Sequence, residues 1–115
     1  MADRTMEWIF LFIAGLMEMG WPLGFKLSQV NSNGSVRFWW IVFSVISMAG
    51  SGYFLWLAQR DISIGTAYAI WTGIGAVGTF VIGILFFKDI ATLGRIFSAF
   101  LIIAGIIGLK LTSSN

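Results

Sequence analysis

One acidic residue, Glu18, interrupts an apolar stretch near the start of the chain. If that stretch spans a membrane as a helix, Glu18 lies about 15 Å beyond Trp8 and near the middle of a ~30 Å hydrocarbon core. A carboxyl group at that depth costs several kcal/mol when ionised and unpaired, so we expect Glu18 to face a cavity or partner and to hold its proton readily. Such a group can exchange a proton for a cation. The alternative is a protonated Glu18 that hydrogen-bonds in a helix interface and serves assembly.

The residues around Glu18 favour a small cation pocket. Gly15 and Trp21 lie three residues to either side, so open space, a carboxylate and an indole share one helical stripe. Pro22 has no N–H and leaves the carbonyl of Glu18 without its usual helical partner, which predicts a bend there. The freed carbonyl could accept a hydrogen bond from a substrate, but we favour a packing kink that a neighbouring helix satisfies.

A second group of polar aromatic residues lies later in the chain. Tyr68, Trp71, Thr72 and Gly75 follow the helical spacing i, i+3, i+4, i+7 and therefore share one face. Aromatic rings attract cations, and a phenol or an indole can also hydrogen-bond a carboxylate. The alternative is a belt of aromatic residues at the membrane interface. Both rings lie too deep in their apolar stretch for a belt, so we favour a binding site.

Small residues have more than one interpretation. Close helix contact or a hinge would each explain the glycines of the third apolar stretch, namely Gly73, Gly75 and Gly78. A helix-association face is indicated by the small residues of the fourth stretch, namely Ala104, Gly105 and Gly108. In the second stretch three serines share one stripe, and we assign only Ser51 to the site.

The elements that must position these residues are membrane helices. Of the 115 residues, 58% are hydrophobic and 10% are charged, whereas soluble domains carry about 25% charged residues. Four apolar runs are long enough to cross a bilayer and do not alternate as strands would. We therefore predict an all-α integral membrane protein with one transmembrane domain over residues 1–115 and helices at about 6–28, 37–58, 62–87 and 91–111.

The composition also excludes several classes of function. The chain has no histidine and no cysteine, which removes the commonest metal ligands. No pairing of a nucleophile with a base is visible, so we expect neither an enzyme nor a metal or other cofactor. The net charge of +2 is small and scattered, which argues against binding to nucleic acid.

Positive charges are nearly balanced between the two ends of the predicted helices. One end has Arg4, Arg60 and Lys110, and the other has Lys26, Arg37, Lys88 and Arg95. Because such residues normally set orientation, this balance fits insertion in both directions and pairing with an inverted copy, although chance explains it equally well. We interpret Lys26 as a lysine that reaches the membrane surface. The other charges at the predicted membrane edges, including Asp89, are assigned no chemistry.

Three motifs in this order resemble the small multidrug resistance transporters, and within them the guanidinium exporters. They are GLMEMGW at 15–21, GTAYAIWTGIG at 65–75 and GIIGLK at 105–110. The resemblance implies an antiparallel, dual-topology dimer in the bacterial plasma membrane that exports a cation in exchange for protons. It implies that Glu18 binds both proton and substrate, with Trp21, Ser51, Tyr68 and Trp71 in the binding site and Gly15 lining it. It also implies that Ala104, Gly105 and Gly108 lie in the main dimer contact.

Three departures from the family pattern leave substrate and partner open. Pro22 stands where a small residue is usual, Ser63 stands where proline is common, and the first loop is longer than typical. One alternative is a broader exporter of quaternary ammonium cations. Another is a subunit that works only beside a paralogous partner. A third, outside transport, is an accessory membrane protein in which Glu18 serves assembly.

Overall fold

Within lipid no water is present to satisfy backbone amides, and the long apolar runs of this chain are helical, with one interruption in the first. A computed structural model describes residues 5–113; Arg4, counted above for orientation, lies outside them. The elements are α1 (Thr5–Glu18), α2 (Gly20–Val30), α3 (Gly34–Ala58), α4 (Ile64–Phe87) and α5 (Leu93–Thr112). Taken together, α1 and α2 form one span, so four spans are long and apolar enough to cross a membrane. The prediction of an all-α protein with four spans is confirmed.

The first span is interrupted at Met19, directly after Glu18. Pro22 cannot donate to the carbonyl of Glu18. At the interruption, Met19 N–H donates to Leu16 O, three residues earlier rather than four, at 3.2 Å. The ladder resumes with Leu23 N–H donating to Met19 O at 3.3 Å. Met19 keeps helical dihedral angles, φ −69° and ψ −26°. The bend expected from Pro22 is therefore a local interruption three residues earlier, beside the intramembrane carboxylate.

Side chains cap the helices that follow the polar connections. Asn33 Oδ1 accepts hydrogen bonds from the backbone of Ser35 and Val36, at 2.9 and 3.2 Å. Because this cap satisfies two N–H groups that the first turn leaves unpaired, α3 begins at Gly34, earlier than the expected residue 37. Thr92 caps α5 in the same way through Arg95 N–H, at 3.3 Å.

Small residues bring α2 and α3 into close contact. A Cβ atom added at Gly20 would lie 2.6 Å from Ser47 Oγ, and one added at Gly24 would collide with Ser44 Oγ. Ser44 and Ser47 are buried, so the two helices meet through glycines on one side and serines on the other. Such small-residue contacts are how membrane helices pack without a hydrophobic driving force.

The remaining packing leaves much of the chain uncovered. A buried apolar cluster joins α1, α3 and α4 near the α3–α4 connection, and its members are Leu11, Ala58, Ile62, Ala67 and Ile70. By contrast, α5 packs on α4 and contains no buried residue. The Cα extents are 53 × 34 × 17 Å, which is thin for four helices that each measure about 10 Å across with side chains. One chain therefore cannot enclose a pathway of its own.

Candidate functional site

A hydrogen-bonded network connects three helices at the level of Glu18. The indole Nε1 of Trp71, on α4, donates to Ser51 Oγ, on α3, at 2.7 Å. Ser51 is fully buried, and its hydroxyl lies 2.8 Å from the carbonyl of Ala14 and 3.4 Å from Glu18 Oε1. The order Trp71, Ser51, Glu18 thus links an indole to the intramembrane carboxyl through one serine.

The Ser51 hydroxyl has one proton to donate and two acceptors within reach. Its bond to Ala14 O is the shorter, and the contact with Glu18 Oε1 is at the long end of hydrogen-bonding distance. Because hydrogen bonds to a charged acceptor are the stronger ones, an ionised Glu18 competes for this proton better than a protonated one. Ser51 can therefore respond to the charge on Glu18 without any movement of its backbone.

Two glycines make room for the carboxyl between α1 and α4. A Cβ atom at Gly75 would lie 2.5 Å from Glu18 Cγ, and one at Gly15 would lie 2.7 Å from Ile74 Cβ. Real Cβ atoms do not approach other atoms that closely, so any larger residue at either position would push the helices apart. Both glycines are buried. They set the distance between the two helices that present Glu18 and Trp71.

Glu18 opens onto a pocket of about 320 Å³ on one side of the chain, here called the Glu18 pocket. The other residues that line it are Pro22, Thr72, Gly75, Ala76 and Thr79. Within residues 5–113, no lysine or arginine forms an ion pair with Glu18. The pocket thus combines small apolar walls, two hydroxyl groups and one carboxyl without a basic partner. Such a lining suits a small cation.

The other expected site residues lie at different distances from this pocket. Tyr68 is 56% exposed, and its ring lies beside that of Trp71, with centroids 5.4 Å apart. Trp21 packs edge-on against Phe25 at 5.7 Å and does not line the Glu18 pocket. The structure therefore brings Glu18, Ser51 and Trp71 together directly. Tyr68 adjoins Trp71, and none of the three aromatic residues Trp21, Tyr68 and Trp71 lines the Glu18 pocket itself.

The glycines proposed as a hinge lie in an unbroken helix. A Cβ atom at Gly73 would lie 2.8 Å from Ile106 Cδ1, and one at Gly78 would collide with Met19 Sδ. Together with Gly75 against Glu18, all three occupy points of close contact, and α4 runs through them without interruption. Close packing accounts for their small size in this conformation, and the hinge stays a prediction.

The small-residue face of α5 is open. Ala104 and Gly105 are exposed and Gly108 is half-buried. A Cβ atom at Gly105 or Gly108 would meet nothing within 4 Å. These residues therefore do not serve packing within the chain.

Sequence reasoning missed part of the pocket lining. Ala76 and Thr79 lie four residues beyond Thr72 and Gly75, so the same helical spacing that selected Tyr68 extends to them. Neither residue type is chemically conspicuous, so their spacing is the one sequence signal that points to them.

Comparison with known proteins identifies the family. The Small Multidrug Resistance protein family matches residues 6–102. The chain belongs to this family. As in the rest of the family, it is a multi-pass membrane transporter and not an enzyme.

Several curated relatives of this small multidrug resistance chain are described as guanidinium exporters. One from Yersinia pseudotuberculosis serotype I is 48% identical over 108 residues, which cover 94% of this chain and 100% of the relative. One from Salmonella typhimurium strain LT2 is 47% identical over 108 residues, 94% of this chain and 99% of the relative. One from Proteus vulgaris is 44% identical over the same length, 94% and 100%. The resemblance inferred from the three motifs is confirmed.

Proposed function

We propose that this chain exports guanidinium or small guanidinyl cations in exchange for protons. The observation that carries the proposal is the Glu18 carboxyl, which opens onto a pocket with no ion-paired basic side chain among residues 5–113. The relatives described as guanidinium exporters, at 44–48% identity, support this substrate class.

Proton coupling follows from competition for one group. A cation gains most from the pocket when Glu18 is ionised, and a proton on Glu18 removes that gain. Substrate and proton therefore exclude each other. An inward proton gradient then drives the cation outward without a separate coupling site. Ser51 contributes by donating to the ionised carboxylate, which steadies it while no substrate is bound.

The planar shape of guanidinium suits the geometry. Two of its parallel N–H groups can bond both oxygens of one carboxylate, which a quaternary ammonium ion cannot do. The indole of Trp71 is fixed by Ser51 at 2.7 Å, so its ring offers a stationary face for a cation. Tyr68 adds a second ring beside it. This arrangement favours guanidinyl cations over the alternative of broad quaternary ammonium export.

A second subunit completes the pathway in this proposal. The single chain is thin, its pocket lies on one side, and the face formed by Ala104, Gly105 and Gly108 is uncovered. Together with the near balance of positive charge between the two ends, these features support an antiparallel homodimer in the bacterial plasma membrane. Alternating access is then an exchange of roles between two identical subunits. A paralogous partner is the alternative.

Exchange in liposomes tests the proposal. An imposed pH gradient should drive guanidinium transport by the purified chain alone, in the direction opposite to proton flow. Glu18→Gln should abolish this coupled exchange while the dimer stays intact. Glu7→Gln is the matched control, because Glu7 lies on the same helix but outside the Glu18 pocket. Coupled exchange retained by Glu18→Gln would contradict the proposal. Transport of quaternary ammonium ions in preference to guanidinium would favour the broader exporter.

A further inference from the structure

A second pocket, of about 270 Å³, lies in the groove between α2 and α4. Pro22 and Thr79 line both this pocket and the Glu18 pocket, so the two adjoin. The second pocket extends toward the ends of α2 and α4, where Lys26 and Asp89 contribute the charged side chains of its lining. One groove therefore runs from Glu18 to a mouth that contains one basic and one acidic group.

The backbone at the end of α4 holds Asp89 at this mouth. Lys88 has φ 58° and is the one non-glycine residue with positive φ among residues 5–113. The turn that it makes brings the N–H groups of both Lys88 and Asp89 to Gly83 O, with the Asp89 bond at 3.0 Å, and these bonds close the helix. A Cβ atom at Gly83 would collide with Asp89 Oδ2. Only glycine at 83 leaves space for the carboxylate to fold back over the last turn.

The electrostatics of that position favour a cation. The free carbonyl groups at the C-terminal end of a helix carry partial negative charge, which attracts cations and disfavours anions. Asp89 adds a full negative charge there, and within residues 5–113 it forms no ion pair. Lys26 lines the same pocket from α2 without forming one either. Among residues 5–113, the Asp89 carboxylate therefore has no fixed ionic partner, and the Lys26 ammonium is the opposing charge in the lining of the same pocket.

We infer that Asp89 and Lys26 form a mouth site for the transported cation, and this inference rests on the proposed function. A guanidinyl cation first binds the Asp89 carboxylate and then passes along Pro22 and Thr79 to Glu18. The Lys26 ammonium competes for Asp89, since it is the point charge across the pocket. That competition keeps binding weak enough for the cation to move on, as a pathway requires.

The alternative assigns no transport role to Asp89 or Lys26. In that interpretation Lys26 reaches the membrane surface for solvation and Asp89 only follows the helix end. It predicts that neutralising either charge leaves the concentration dependence of transport unchanged. The mouth site predicts opposite shifts for the two residues.

Transport kinetics in liposomes distinguish the mouth site from the alternative. The initial rate of guanidinium exchange is measured as a function of guanidinium concentration, at low and at high ionic strength. At low ionic strength Asp89→Asn should raise KM by about tenfold, the lower end of what a charged cleft adds to local ion concentration. Lys26→Gln should lower KM. Both shifts should shrink at high ionic strength, because salt screens exposed charges.

Control variants keep the result interpretable. Asp61→Asn neutralises an exposed carboxylate in the α3–α4 connection, at the other end of α4, and should leave KM unchanged. Asp89→Glu should keep KM near that of the unmodified chain. If Asp89→Asn does not fold, the lowered KM of Lys26→Gln tests the inference by itself.

The outcomes are distinct from those of the proposed function. Glu18-dependent exchange with the same KM in Asp89→Asn and the unmodified chain would overturn the mouth site alone. So would shifts of the same sign in Asp89→Asn and Lys26→Gln. Absence of guanidinium exchange in the unmodified chain would overturn both the mouth site and the proposed function.

Discussion

At the scale of single residues, the site depends on one buried serine. Ser51 accepts a hydrogen bond from Trp71 and lies within reach of both Ala14 O and Glu18. The indole orientation and the environment of the carboxyl are therefore coupled. Of the two serines on α3 that bond across helices, Ser44 serves only a backbone carbonyl, that of Trp21 at 2.9 Å.

Ser51→Ala should weaken guanidinium binding by up to about tenfold, because it removes hydrogen bonds that contribute about 0.5–1.5 kcal/mol each. Tryptophan fluorescence during a guanidinium titration measures the Kd directly. Ser44→Ala is the matched control, and it should lower the thermal stability while leaving the Kd in place. An unchanged Kd in Ser51→Ala would show that the network does not support the site.

Gly75→Ala should reduce guanidinium binding more strongly than Ser51→Ala. The added Cβ would lie 2.5 Å from Glu18 Cγ, so either the carboxyl or the helix must move. Gly94→Ala is the control, because a Cβ there meets nothing within 4 Å and alanine favours a helix by up to about 1 kcal/mol. The same titration, with thermal unfolding in detergent, distinguishes loss of the site from loss of the fold. Unaltered binding in Gly75→Ala would contradict the close contact.

At the scale of the elements, the sequence predicted the helices better than their interruption. Long apolar runs with few or no charges, separated by polar connections, marked four spans, because lipid leaves the backbone little choice. Pro22 predicted a distortion, but the position of the interruption depends on how Met19 and Leu16 re-pair. The spacing of Trp21 from Glu18 predicted a shared stripe, but the Trp21 ring packs against Phe25 and does not line the Glu18 pocket.

Pro22→Ala should join α1 and α2 into one continuous helix. Alanine supplies the N–H that the Glu18 carbonyl lacks, which adds a hydrogen bond of about 0.5–1.5 kcal/mol. We expect a higher Tm and slower amide hydrogen exchange over residues 19–23 than in the unmodified chain. Exchange that stays as fast as before would show that the interruption has a cause other than the missing donor.

At the scale of the whole molecule, one chain presents a site that is open on one side. Helix α5 has no buried residues, and the chain measures only 17 Å in its thinnest direction. Much of its apolar surface is therefore not covered by the chain itself. The small residues at 104, 105 and 108 could be read from the sequence as an association face. The partner that occupies that face could not be read from the sequence, because small residues indicate close helix contact without specifying the partner.

Gly105→Leu should dissociate the proposed dimer and stop transport. The single chain has open space at Gly105, so the larger side chain does not disturb the fold itself and obstructs only a partner. Gly65→Leu is the control, because Gly65 also faces open space but lies in the first turn of α4, at the end of the span. Crosslinking in liposomes reports the fraction of dimers. A full yield of dimers in Gly105→Leu would place the contact elsewhere.

The central claim is that proton and guanidinium compete for Glu18, and proton release on binding tests it most directly. Guanidinium added to the detergent-solubilised chain in weakly buffered solution with a pH indicator should release protons in proportion to the cation bound, at pH values where Glu18 is protonated beforehand. Glu18→Gln should release none. Guanidinium binding by the unmodified chain without proton release, or equal release from Glu18→Gln, would contradict the account.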